Sequence, residues 1–413
     1  MPKEQKLVNV DPQEEEEEHQ EEEEREEDDD ELELDPEQEE EIRRLTVEIT
    51  KMEKAGNKEA LADLLRQLSA VQSDSEQTLP SAIENLEKEI KLRQELKQKE
   101  ELSKVRKNLF VLRQAILDWE GAVAVMEEAA QEATKNKDFA EEADAYSELA
   151  TAFLAKFEMD KEMQDEDEDE EDEEVSEDVA KAMSYAEKAL KICYDKNTDD
   201  KLMESVVALR ANHAIAEAYM HLGQFDKAIP HWDQVLELTR GIDEEVSVKF
   251  DSFTSASKAF YAYAEALIAS EEPDEAKSKE FAEKALGLFK ESRGLLEAED
   301  YENHIVAVSG LVSCYDLLKQ KKECIEAQRE IYDMEVKLDN EEQQIEALMT
   351  LVDMYNENDQ KEEALQEIEK AKKLAESLEL SDVVDQLNEM KEEIQPKKRK
   401  GGEEKRNPKK QKK

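Results

Sequence analysis

The sequence predicts an all-α protein of stacked helical hairpins, and three observations predict it. Composition opposes a sheet: among 413 residues 41% are charged, 5% are aromatic and only nine are glycine. That profile suits long helices joined to acid-rich segments with little to bury. Apolar residues return in steps of three and four through most of the middle of the chain. From about Lys104 onward, one order of small, aromatic, glycine and alanine positions recurs, which is the mark of a repeat.

Residues 1–41 form an acidic arm. Glu14 to Glu18, Glu21 to Glu24 and Glu26 to Glu31 leave almost nothing to bury. Like-charge repulsion predicts an extended, disordered segment. Helical spacing begins with Ile42, Leu45, Ile49 and Met52, breaks at Gly56-Asn57, and resumes with Leu61, Leu64, Leu65, Leu68 and Val71. A turn-rich break covers Ser73 to Pro80, and Ile83, Leu86 and Ile90 open a helix that runs through Leu96. Residues 42–100 thus read as a helical hairpin or short coiled coil. The seam is too short to fix an oligomeric state, so monomer and homodimer both stay open.

Residues 101–395 read as the repeat array. Trp119 to Ala133 is the second helix of a degenerate first unit. The clearest unit is Arg210 to Arg240: Ala216 and Tyr219 share a face of its first helix, Gly223 marks the turn, and Phe225, Ala228, Trp232 and Val235 face back from the second. Small residues at 216 and 228 let the helices approach, and Tyr219 and Trp232 fill the groove beside them. This resembles the tetratricopeptide repeat. Val312 and Tyr315, then Cys324, Gln328 and Ile331, hold matching places. So do Val352 and Tyr355, then Ala364, Ile368 and Ala371. Phe260 and Tyr263, then Ala282 and Ala285, make a stretched copy. The anchors Tyr219, Tyr263, Tyr315 and Tyr355 are 44, 52 and 40 residues apart. The usual period is about 34, so either the helices are longer or the turns wider. Val383, Val384, Leu387, Met390 and Ile394 place a capping helix over 381–394.

One hairpin is interrupted. Its first helix is predicted over Glu141 to Met159 and its second over Ala180 to Cys193. The insert, 160–178, holds ten consecutive acids: Asp165, Glu166, Asp167, Glu168, Asp169, Glu170, Glu171, Asp172, Glu173 and Glu174. Such an insert exceeds what closing a turn requires, and a tethered polyanion favours Lys- and Arg-rich partners. Pro396 stops the last helix. In the disordered basic tail 396–413, Lys397, Lys398, Arg399 and Lys400 read as a nuclear import signal, whose partner is an import receptor.

The formal net charge of -54 repels nucleic acid and anionic membranes and attracts basic proteins. No window approaches the ~18 apolar residues of a membrane span. Cys193, Cys314 and Cys324 lack CxxC spacing and suggest buried thiols in a reducing compartment. Phosphate-loop, zinc-protease and nucleophile-elbow signatures are missing. His213, His221 and His231 lack the other ligands of a metal site. The expectation is a non-enzyme without metal or cofactor.

An interrupted tetratricopeptide array, an acidic insert within one repeat and a basic import tail together resemble the nuclear autoantigenic sperm protein family of histone chaperones. The resemblance covers about residues 138–413 and lies in layout. It implies a nuclear protein that binds core or linker histones and shields them before deposition on DNA, with Asp165 to Glu174 as a histone contact. The alternative is an adaptor or co-chaperone of the same fold. Such repeats grip a carboxylate with Lys and Asn on the first helices. Here those places hold Ser147 and Thr151, or His213 and Glu217. Glu148, Glu217, Glu265 and Asp316 give the first helices an acidic lean.

Overall fold

The computed structural model describes residues 35–163, 176–195, 205–241 and 246–395. The acidic insert Asp165–Glu174, the residues Lys397–Lys400 expected to form an import signal and nearly all of the acidic arm lie outside the described residues. Among the described residues there are sixteen α-helices and no strand. The chain divides into two compact units, Met1–Ala145 and Tyr146–Lys413.

The first unit holds α1 (Pro36–Ala55), α2 (Lys58–Gln72), α3 (Leu79–Leu96), α4 (Lys99–Ala115), α5 (Trp119–Asn136) and the start of α6 (Phe139–Met163). Asp35 caps α1 by accepting from the Glu37 amide, with Pro36 in the first turn, where its missing N–H costs nothing. The break expected at Gly56-Asn57 is sharp. Gly56 is left-handed (φ 68°) and the Asn57 side chain caps α2 at the Ala60 amide. The predicted seam is the core: Leu45, Ile49, Leu65 and Leu68 pack together. Ile83 and Leu86 of α3 share a second cluster with Leu102, Val105 and Leu109 of α4.

One part of this core is charged. Where the α3 seam continues past Leu86, Glu89 is wholly enclosed. It sits 2.7 Å from Arg66 Nη2 and 3.0 Å from Arg93 Nε. Arg66 also meets Glu101, and Arg93 meets Asp63. Two guanidinium groups offset the cost of burying one carboxylate.

The second unit holds the rest of α6, then α7 (Glu177–Cys193), α8 (Val206–His221), α9 (Phe225–Gly241), α10 (Val246–Ala269), α11 (Glu275–Arg293), α12 (Tyr301–Leu317), α13 (Lys321–Lys337), α14 (Glu341–Glu357), α15 (Lys361–Ser377) and α16 (Ser381–Ile394). These make five hairpins and a final helix. In the clearest hairpin Ala216, Ala228, Trp232 and Val235 are fully buried, and Gly223 is left-handed (φ 64°). In the interrupted hairpin, Tyr185 of α7 stacks on Tyr146 and Phe153 of α6 with ring centroids 5.9 and 5.8 Å apart. On the last helix Leu387 and Ile394 are buried and Val383, Val384 and Met390 pack on the same cluster.

The long period has a simple cause. From α12 to α15 each helix has 17 residues and each turn only three. A left-handed residue recurs every 20 positions, at Lys319, Asp339, Asp359 and Glu379. Lys97, Leu117 and Lys137 repeat the cadence in the first unit. In every such turn the next amide reaches back to the carbonyl five residues earlier, as in Gln320 N to Tyr315 O (2.8 Å) and Gln360 N to Tyr355 O (2.9 Å). This bond satisfies a helix-terminal carbonyl and stops the helix at a fixed length. The helices are therefore longer than the usual repeat and the turns are tight. The wider anchor spacings come from the 24-residue α10 and 19-residue α11 together with the longer turns 270–274 and 294–300 beside α11.

Candidate partner-binding face

In the second unit the first helices of the hairpins, α6, α8, α10, α12 and α14, share one side with α16. Arg210 Nη1 of α8 donates to Ser147 Oγ (3.1 Å) and Glu148 Oε1 (2.7 Å) of α6. His221 Nε2 of α8 lies 3.2 Å from Glu158 Oε1 of α6, and Phe157 meets the His221 ring edge-on at 5.0 Å. The hydrogen bond from His221 holds Glu158 below the usual carboxylate range.

His213 and Glu217 lie between these contacts, their nearest atoms 4.0 Å apart, with 30% and 26% of their side-chain surface open. His213 also meets Trp232 edge-on at 4.9 Å. Burial among these neighbours lowers the His213 pKa to about 4 and pushes the Glu217 carboxyl up to about 7. At neutral pH the imidazole is uncharged and burial favours the protonated carboxyl, so the two form no full ion pair.

These facts revise the acidic lean read from Glu148, Glu217, Glu265 and Asp316. Glu148 is matched by Arg210 and burial favours the protonated Glu217 carboxyl, whereas Glu265, which accepts from the Tyr261 hydroxyl at 2.8 Å, and Asp316 are both exposed. From Asp316 onward the open anionic surface continues. On α14 the exposed side chains Glu342, Glu346, Asp353 and Glu357 fall at helical spacing, and on α16 Asp382, Asp385, Glu389 and Glu393 do the same. Residues three and four apart share a helix face. The α14 and α16 stripes lie on the same side: partial burial, Glu357 and Glu393 together raise the Asp353 pKa.

Sequence reasoning missed Glu346, Asp353, Glu357, Glu389 and Glu393, although a signal was present. Helices α12 and α14 contain no Lys or Arg, whereas α13 and α15 contain four each. Two of those cations converge on Glu367 of α15. Arg329 lies over the Tyr355 ring (5.3 Å) and 3.8 Å from Glu367, and Lys370 is 2.6 Å from Glu367. The one cation of α16, Lys391, pairs with Glu369 of α15.

The carboxylate-grip positions hold no Lys–Asn pair. Ser147 is buried and Thr151 Oγ1 donates to the Glu148 carbonyl at 2.9 Å. The nearby Asn212 is also buried, 3.0 Å from His231 Nδ1. The three cysteines are buried and unbridged. Among the described residues no trio of His, Cys, Asp or Glu has metal-holding geometry, and no helix is long and apolar enough to cross a membrane.

Residues 209–241, most of α8 and all of α9, match the family model described as tetratricopeptide repeat. No curated protein matches the chain. Among solved structures, BtubC (BKLC) from P. vanneervenii is 18% identical, with a TM-score of 0.48 over 63% of this chain and 92% of that one. The tetratricopeptide-like repeats of a putative kinesin light chain from Podosopora anserina are 18% identical, with a TM-score of 0.36 over 48% and 89%. A Rap protein complexed with Competence and Sporulation Factor is 13% identical, with a TM-score of 0.36 over 86% and 98%.

Proposed function

We propose that this tetratricopeptide-like scaffold is a non-enzymatic nuclear chaperone for a strongly basic protein of the histone class. The observation that carries the reading is the sorting of charge from α12 onward: α12 and α14 have no Lys or Arg while α13 and α15 have four each, and the first-helix side from Asp316 to Glu393 is anionic. A surface of one sign steers an oppositely charged partner and fixes its orientation. The helices supply spacing and shape. The acids Asp165 to Glu174 leave from α6 and return at α7, so they are tethered to the first hairpin of the same unit. In this reading they cover Lys and Arg that the helices leave open and block premature contact with DNA. Lys397 to Lys400 recruit the import receptor.

The test is titration of purified core histones into the full chain and into Asp316→Asn/Glu346→Gln/Asp353→Asn/Glu357→Gln, at low and moderate salt. The variant should bind at least ~10-fold more weakly, or about 1.4 kcal/mol, while keeping its helical circular dichroism. Affinity equal to that of the parent would remove the face from the mechanism. Retention of neutral clients by both proteins would favour the adaptor reading. Neutralising Asp165 to Glu174 with Asn and Gln separately should weaken binding and its salt dependence.

A further inference from the structure

The anionic stripe of α14 and α16 ends where the chain becomes basic. Glu393 lies two residues before Gln395, the last described residue. The next 18 residues, 396–413, carry ten Lys or Arg and only two Glu. We infer that this tail folds back over the open first-helix face and occupies it in the absence of a partner, contacting Glu393, Glu389, Asp353 and Glu357. The face is thus self-masked, and the import residues Lys397 to Lys400 are covered with it.

Three observations support this occupant. The first is charge complementarity. Asp353 and Glu357 are exposed one turn apart on α14 and Glu393 is exposed on the adjoining α16; after partial burial, Glu357 and Glu393 raise the Asp353 pKa, and no Lys or Arg among the described residues pairs with them. A cationic segment arriving there relieves like-charge repulsion and gains attraction. The second is reach. Packed helices lie 8–10 Å apart, and α12, α14 and α16 are successive helices of one side, so α12 is roughly 20 Å from α16. An extended chain of this length spans up to about 60 Å. The third is attachment. A short tether holds the tail at an effective concentration near the millimolar range, so even a weak charge contact is populated. The nearest competing cations face away: Lys391 pairs with Glu369, and Lys372 Nζ donates to Asn388 Oδ1 at 2.9 Å.

The consequence for binding rests on the reading above. A basic client must displace the tail, and displacement bares the import signal, so loading and import become linked. The tail contact itself is tested without any client. A carbodiimide joins carboxylates to lysines only when they touch. The full chain is cross-linked as an equal mixture of isotopically light and heavy protein, digested and mapped by mass spectrometry. The expected result is links within one chain from tail lysines to Asp353, Glu357, Glu389 or Glu393. These should vanish in Asp353→Asn/Glu357→Gln/Glu393→Gln with helical circular dichroism retained. Links from the tail only to residues 1–41 or 165–174, links only between chains, or no links would each overturn the proposal.

A second measurement uses a synthetic peptide of residues 396–413 as probe. A chain ending at Gln395 should bind it roughly threefold or more tightly than the full chain, since the tethered copy no longer competes. The triple variant should bind it poorly. Equal affinity for the full and shortened chains would also overturn the proposal. Failure of the histone titration with these links present would reject the client and leave the tail contact standing.

Discussion

Leu117 adopts the left-handed conformation (φ 60°) with 55% of its surface exposed. A side chain there costs roughly 1 kcal/mol that glycine avoids. Its counterparts in the other tight turns are glycine or a charged residue. Leu117→Gly should therefore raise the stability of the first unit by up to ~1 kcal/mol in urea denaturation, because little packing is lost. A lower midpoint would mean that Leu117 makes a contact its exposure does not reveal. Glu217 has a larger signature. Its folded pKa of about 7 lies above the unfolded value, so its contribution is intact below about pH 4.5 and is lost as pH rises toward 7. His213, lowered to about 4, works the other way: its contribution is present above about pH 6.5 and fades as pH falls toward 4. Glu217→Gln should gain about 1–3 kcal/mol at pH 8 and nothing at pH 4. A gain that does not vary with pH would show that repacking, not ionisation, is responsible. The sequence exposed these residues as a possible acidic or metal-like cluster. It could not weigh them, because burial against Trp232 and the partner Glu158 come from other helices.

Among the elements, helix existence was largely legible, since the 3–4 spacing of apolar residues marks which face is buried. The turns were less so: only Gly56 and Gly223 announce a left-handed residue, and seven others use Lys, Leu, Asp or Glu. Glu89 and Arg93 were missed for a different reason. They occupy seam positions where an apolar residue is expected, and their pairing partners Arg66 and Asp63 are on α2. Close approach between helices has its own test. A Cβ at Gly310 of α12 would collide with the ring of Phe289 of α11. Gly310→Ala should cost about 1–3 kcal/mol through overpacking, despite alanine's better helix propensity of up to ~1 kcal/mol. Pairing it with Phe289→Leu should recover part of the loss. No recovery would place the strain elsewhere.

Across the molecule, the order of hairpins and the cap followed from repeating residues. The anionic face did not follow from counting acids on first helices. That count gave Glu148 and Asp316 equal weight, although Arg210 neutralises the first and leaves the second open. The informative pattern was which helices lack cations, and its meaning emerges only once alternate helices are seen to share a side. The cysteines carry a last consequence. Burial raises Cys193, Cys314 and Cys324 to about 11, 12 and 11, so folded thiols are scarcely reactive at neutral pH. All three sit in the second unit, on α7, α12 and α13, and the first unit has none. The native chain thus carries its own clock for one unit. Pulsed alkylation should modify each thiol only as its hairpin opens. Under the proposed function, adding core histones should slow Cys314 and Cys324, nearest the anionic stripe, more than Cys193. Equal slowing of all three would report stabilisation of the whole unit without a preferred place of contact.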